Sequence, residues 1–141
     1  SFWVEEDEVE KYIERIKNEI EGKTEFNIHF WVVKDNDEVV GVTGLCDPLP
    51  NILKFAKTKY PGELKILYLD PNSRGKGIGR KLLVFIENEA RKQGYKEILI
   101  RSAKRFRDTA YGFYERMGYS KVGMITSESN SEQMQVFEKK L

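Results

Sequence analysis

The chain has 141 residues, 24 of them Lys or Arg and 23 Asp or Glu, for a net charge of +1. This length suits one domain, residues 1–141, since a chain of ~150 residues buries about 70% of its unfolded surface; the balanced charge offers no global field to recruit nucleic acid or an anionic membrane. A single cysteine, Cys46, excludes an internal disulfide, and with no long apolar run and no signal-peptide pattern the chain reads as cytoplasmic.

From the N-terminus, Val9, Tyr12, Ile13, Ile16 and Ile20 recur at helical spacing in a charged segment ending at Gly22, which predicts an amphipathic helix. Phe26 to Val33 and Val39 to Cys46 are rich in β-branched and aromatic residues and flank Asp35-Asn36-Asp37, predicting a β-hairpin. Asp47 to Tyr60 is longer than a tight connection requires; it reads as a short helix that either shapes a binding pocket or elaborates the surface. Leu64 to Leu69 reads as a strand, and Ile78, Leu82, Phe85, Ile86 and Ala90 as the apolar stripe of a helix closing near Gly94. Ile98 to Ile100 is a short buried strand, Ala110 to Met117 a helix, and residues 119–126 and 133–140 two strands around the polar turn Ser127 to Ser131.

The segment Arg74-Gly75-Lys76-Gly77-Ile78-Gly79-Arg80 lies between a predicted strand and a predicted helix. Glycines in that position let backbone N–H groups curl around a phosphate, and the helix N-terminus adds partial positive charge. Arg74, Lys76 and Arg80 add full charges suited to an extended anion such as a pyrophosphate. A Walker loop requires Lys-Ser/Thr after its last glycine, but Gly79 is followed by Arg80-Lys81; glycines at 75, 77 and 79 do not spell Gly-x-Gly-x-x-Gly either.

Arg74-x-x-Gly77-x-Gly79 instead resembles the Gln/Arg-x-x-Gly-x-Gly/Ala signature of the GNAT superfamily of acetyl-CoA-dependent N-acetyltransferases. Downstream, Ala110, Phe113, Tyr114, Gly118 and Tyr119 match the second GNAT signature, with Arg107 standing where the family usually has asparagine. The resemblance covers roughly residues 26 to 141. It implies an α/β (α+β) fold: a mixed, mostly antiparallel central sheet with a splayed parallel strand pair and helices on both faces. The first strand and helix usual in the family are expected to be missing, shortened or processed away.

The same resemblance implies acetyl-CoA as co-substrate, with Arg74, Gly75, Lys76, Gly77, Ile78, Gly79 and Arg80 on the pyrophosphate. It places the pantetheine arm along Leu67-Tyr68-Leu69 as an added strand, and Arg107 within reach of a CoA phosphate or carbonyl. An alkyl amine, with a pKa of ~10, must lose a proton before attacking a thioester. Glu63, eleven residues before Arg74, holds the position of a glutamate base in this family; alternatively it is a solvated carboxylate at a strand start, with ordered water as the base. Tyr114 holds the position of the acid that protonates the leaving thiolate, although Ala110, Phe113, Tyr114 and Met117 also form a core stripe. His29 has no partner at metal-ligand spacing and Cys46 no His or second Cys, so no metal and no thiol nucleophile are expected.

The expected activity is direct acetyl transfer to a primary amine on a small molecule or peptide, with no nucleic-acid or membrane partner; a homodimer stays open. Protein N-termini, lysines, polyamines, aminoglycosides and small metabolites all fit as acceptors. Glu5, Glu6, Asp7, Glu8 and Glu10 either attract a cationic acceptor or serve the helix dipole. The alternatives are a non-catalytic acyl-CoA-binding module and an interaction domain that uses the terminal strands or the N-terminal helix.

Overall fold

The Asn36-Asp37 pair fixes the first hairpin. Both residues have left-handed backbones (φ 51° and 70°), the geometry of a two-residue type I′ turn, whose twist matches that of the strands it joins. In the computed structural model, which describes residues 2–5, 27–127 and 130–141, this turn joins β2 (His29–Asp35) to β3 (Glu38–Cys46), with Asp35 opposite Glu38. The strand therefore runs two residues beyond the expected Val33. A bulge between Val33 and Lys34 absorbs the register shift, and left-handed Asn27 (φ 56°) precedes the strand. A short β1 (Phe2–Glu5) pairs antiparallel with β2; four residues carry no periodic signal that would have predicted it. The expected helix spanning Val9 to Ile20 lies outside the described residues.

The remaining elements are β4 (Pro61–Leu69), α1 (Ile78–Lys92), β5 (Glu97–Ala103), α2 (Ala110–Arg116), β6 (Ser120–Thr126) and β7 (Gln133–Lys140), with short 3-10 helices at Pro50–Phe55, Pro71–Ser73 and Lys104–Phe106. The fold is mixed α/β, and β1–β2, β2–β3, β5–β7 and β6–β7 all pair antiparallel. The chain forms two compact units, Ser1–Asp47 with Leu64–Asn88 and Pro48–Glu63 with Glu89–Leu141.

In the first unit the strand order is β1-β2-β3-β4. Ile78 and Leu82 of α1 pack with Val33, Val40, Leu67 and Leu69, and Trp31 meets Phe85 edge-on at 5.6 Å. Gly41 lets β3 approach β4, because a side-chain carbon there would stand 2.7 Å from the Tyr68 carbonyl oxygen. In the second unit the order is β5-β7-β6, and Pro50–Phe55 lies across it, with Ile52, Leu99, Ile125 and Val136 forming the core. The predicted helix within Asp47 to Tyr60 is thus a 3-10 helix packed on strands.

The end of that segment is held by a buried carboxylate. Glu97 accepts hydrogen bonds from the Lys57 and Thr58 backbone N–H groups at 2.8 and 2.9 Å and from the Thr58 hydroxyl at 2.9 Å. Burial pushes its carboxyl up, but a hydrogen bond from Glu138 and these donors together hold it below the usual range. Glu138 is pushed up by burial and by Glu97 itself. Its Oε2 has no hydrogen-bond partner among the described residues, while Lys57 Nζ stands 3.5 Å from its Oε1.

Candidate functional site

The glycine loop is shaped by local chemistry. Asp70 accepts from the Asn72 N–H at 2.9 Å, which closes the turn after β4, and Arg74 donates from Nε to the Leu69 carbonyl at 3.2 Å. Gly75 and Gly77 then take φ of 78° and 77°, a region costly for any residue with a Cβ. Gly79 differs from these two, because it already lies within α1. The first bond of the helix runs from Lys81 N–H to the Gly77 carbonyl at 3.2 Å, so the N–H groups of Ile78, Gly79 and Arg80 precede any intrahelical acceptor. No acid occupies this first turn, while Arg80 and Lys81 do. Cations at the positive end of a helix cost roughly 0.3–1 kcal/mol each, a cost that a bound anion reverses.

Main-chain direction alternates along the strand before the loop. Asp70 N–H bonds to the Val40 carbonyl at 2.7 Å. Because main-chain groups alternate along a strand, Tyr68 also faces β3, while Leu67 and Leu69 direct theirs the other way. Their side chains pack into the first unit's core, and Tyr68 is exposed. The expected pantetheine segment thus combines anchored side chains with main-chain groups at Leu67 and Leu69 that face away from β3.

Glu63 is fully buried rather than solvated at the strand start. Its Oε2 accepts from Arg101 Nε at 2.9 Å, and its Oε1 accepts from the Leu49 N–H at 3.0 Å and from the Arg101 guanidinium at 3.4 Å. Arg101 also donates to Asn51 Oδ1 at 2.8 Å. Three donors already hold this buried carboxylate, which leaves one of its roughly four lone-pair sites for a substrate proton. In the sequence Arg101 shows only as one of four closely spaced basic residues with Lys104, Arg105 and Arg107, and Asn51 belongs to no motif.

Tyr114 is buried on α2, 5.4 Å from the Phe137 ring and 5.6 Å from Phe113. Burial pushes its phenol up to about 12, so at neutral pH it stays protonated and keeps a proton to donate. Tyr111 on the same helix donates to the Ser102 carbonyl at 3.1 Å. Arg107 is exposed, at the end of the Lys104–Phe106 turn, and donates to the Lys104 carbonyl at 3.4 Å. Of the expected site residues, the loop and the Leu67–Leu69 segment fall in the first unit, and Glu63, Arg107 and Tyr114 in the second. Cys46 is buried in β3, and His29 stacks on Trp31 with Nε2 3.1 Å from Asn27 Oδ1. No helix among the described residues is long and apolar enough to cross a membrane.

Residues 26–121 match the family model described as the acetyltransferase (GNAT) domain. The chain is 30% identical over 94 residues to N-acetyltransferase 8B of Homo sapiens, across 67% of this chain and 39% of that protein. It is 34% identical over 93 residues to an aminoalkylphosphonate N-acetyltransferase of Salmonella typhimurium, across 66% of this chain and 57% of that one. It thus spans between 39% and 57% of the length of these relatives. Among solved structures, a GNAT family acetyltransferase from Elizabethkingia anophelis with acetyl-CoA bound has a similar fold, at TM-score 0.67 and 18% identity over 89% of this chain and 83% of that one. With a family match over two thirds of its length, on a strand, glycine loop and helix built as that family's signature requires, the chain belongs to the GNAT acetyltransferase family.

Proposed function

We propose that this protein transfers the acetyl group of acetyl-CoA directly to a primary amine. The observation that carries this reading is the loop: two left-handed glycines lead into a helix whose first turn holds cations and no acid. In this reading Arg74 to Arg80 hold the pyrophosphate, the main-chain groups of Leu67 and Leu69 hold the pantetheine amides, and Arg107 contacts a CoA phosphate or carbonyl. The acetyl-CoA bound to the Elizabethkingia anophelis neighbour supports the choice of ligand.

Once its ammonium has lost a proton, the amine attacks the thioester carbonyl, and collapse of the tetrahedral intermediate breaks the C–S bond and releases the CoA thiolate. Tyr114 donates to that sulfur. A phenol at about 12 giving its proton outright to a thiolate of ~8.5 would climb about 5 kcal/mol, so its chief contribution is a hydrogen bond to the developing charge. The proton from the ammonium passes through ordered water or to Glu63. The committed state of Glu63 also favours a second reading, a module that binds acyl-CoA without transferring it.

Calorimetric titration with acetyl-CoA, comparing wild type with Gly77→Glu, tests the proposal. Micromolar binding abolished by the substitution is the expected outcome; absence of wild-type binding overturns both readings. Release of free thiol on adding a mixture of amines separates the enzyme from the binding module.

A further inference from the structure

Within the second unit, a cleft of about 340 Å³ opens between the Pro50–Phe55 helix and the β6–β7 hairpin, lined by Asn51, Lys54, Met124, Ile125, Thr126 and Gln133. That volume lies within the range of small-molecule sites. Asn51 and Lys54 stand three apart on a 3-10 helix, where such side chains eclipse one another. Thr126 and Gln133 are directly paired across the hairpin.

The two amides of the cleft are oriented by cations behind them. Asn51 Oδ1 accepts from Arg101 at 2.8 Å, and Gln133 Oε1 accepts from Lys104 Nζ at 3.4 Å. Arginine and lysine only donate, so each amide keeps its oxygen on its cation, and its NH₂ group stays available to a ligand in the cleft that both residues line. Lys54 adds an ammonium and Thr126 a hydroxyl. The nearby carboxylates are already engaged, Glu63 by Arg101 and Glu132 by Arg105. Among the described residues the cleft therefore presents donors and positive charge, with Met124 and Ile125 as an apolar wall.

We propose that this cleft binds an oxyanion, carboxylate or phosphonate, carried by the amine acceptor. This rests on the acetyltransferase reading for the word acceptor, but not for the binding of the anion. It disfavours polyamines, which would meet Lys54 and two amide NH₂ groups. The role falls to residues with no family signature: Arg101 and Lys104 act as positioning residues that fix which end of each amide faces the ligand.

The ¹⁵N-labelled full chain, titrated at constant ionic strength with sodium acetate, sodium methylphosphonate and ethylammonium chloride, tests the anion site without any turnover. The side-chain NH₂ signals of Asn51 and Gln133 should shift with one or both anions, and whichever acts identifies the anion. These shifts should weaken about tenfold in apparent affinity in Lys54→Met, a substitution at an exposed residue that leaves the core untouched. Shifts with ethylammonium alone, no shifts at tens of millimolar anion, or an unchanged response in Lys54→Met would overturn the proposal. If acetyl-CoA binds, β-alanine should be acetylated with a KM about tenfold below that of β-alanine amide, and equal values would overturn the acceptor role. If the anion shifts appear but acetyl-CoA does not bind, the acetyltransferase reading falls and the anion cleft stands.

Discussion

Tyr114 illustrates how one residue serves core and chemistry together. Its ring packs against Phe113, Tyr119 and Phe137, and the same burial that makes it a core residue keeps its hydroxyl protonated. Tyr114→Phe should lower kcat by about 10²-fold with acetyl-CoA affinity nearly unchanged, as measured by thiol release and calorimetry. Below pH ~10 the shape of the pH profile should stay as it is, since a phenol at about 12 does not titrate there. Glu138 carries a second residue-scale prediction. Because its folded carboxyl lies above the ordinary value, its stabilising contribution is present below that ordinary value and fades as pH rises through the raised one. Glu97 lies on the other side: its folded carboxyl is held low, so its contribution is present at neutral pH and is lost in acid. Glu138→Gln, a permanent donor toward Glu97, should raise the melting temperature at neutral and higher pH and flatten the loss toward alkaline pH. Unchanged melting curves across that range would contradict the hydrogen bond from Glu138 to Glu97.

At the scale of elements, local chemistry made most of the fold legible and neighbouring segments hid the rest. The hairpin at Asn36-Asp37, α1, α2 and the β6–β7 pair were readable because turn residues and hydrophobic period are local signals. β4 begins at Pro61, three residues before the expected Leu64, since a proline is tolerated at the first residue of a strand. β5 extends from Glu97 to Ala103, beyond the apolar Ile98 to Ile100, because its polar residues pair with β7 and are engaged by Lys57, Thr58, Asn51 and Glu63. The Pro50–Phe55 helix depends on one glycine of another element. A side-chain carbon at Gly123, beside the bulge in β6, would collide with the Phe55 ring. Gly123→Ala should therefore cost about 1–3 kcal/mol in chemical denaturation, and Phe55→Leu in the same chain should recover part of it. An additive pair of effects would argue that the two residues do not meet.

At the scale of the molecule, the Glu63–Arg101 pair ties together segments 38 residues apart, and its removal distinguishes structure from catalysis. Glu63→Gln leaves a buried guanidinium short of its counter-charge and should destabilise by about 3–5 kcal/mol, while a double Glu63→Gln, Arg101→Leu chain should be less destabilised than the sum of the two. Thermal melts of the four chains, with kcat measured below their transitions, separate the roles. A large loss of kcat in Glu63→Gln with an unchanged melt would mark Glu63 as a base. The sequence by itself determined the family, the order of strands and helices around the glycine loop, and the residues that give the loop its positive charge. These follow from spacing, from the backbone freedom of glycine and from charge at a helix end, all of which act within a few residues. Only the tertiary structure decided that Glu63 is buried against Arg101, that Asn51 and Gln133 line one cleft, and that Glu97 is buried on the Lys57 and Thr58 N–H groups. Each of these depends on side chains from segments distant in sequence meeting where water is excluded, and burial of that kind leaves no mark in local composition.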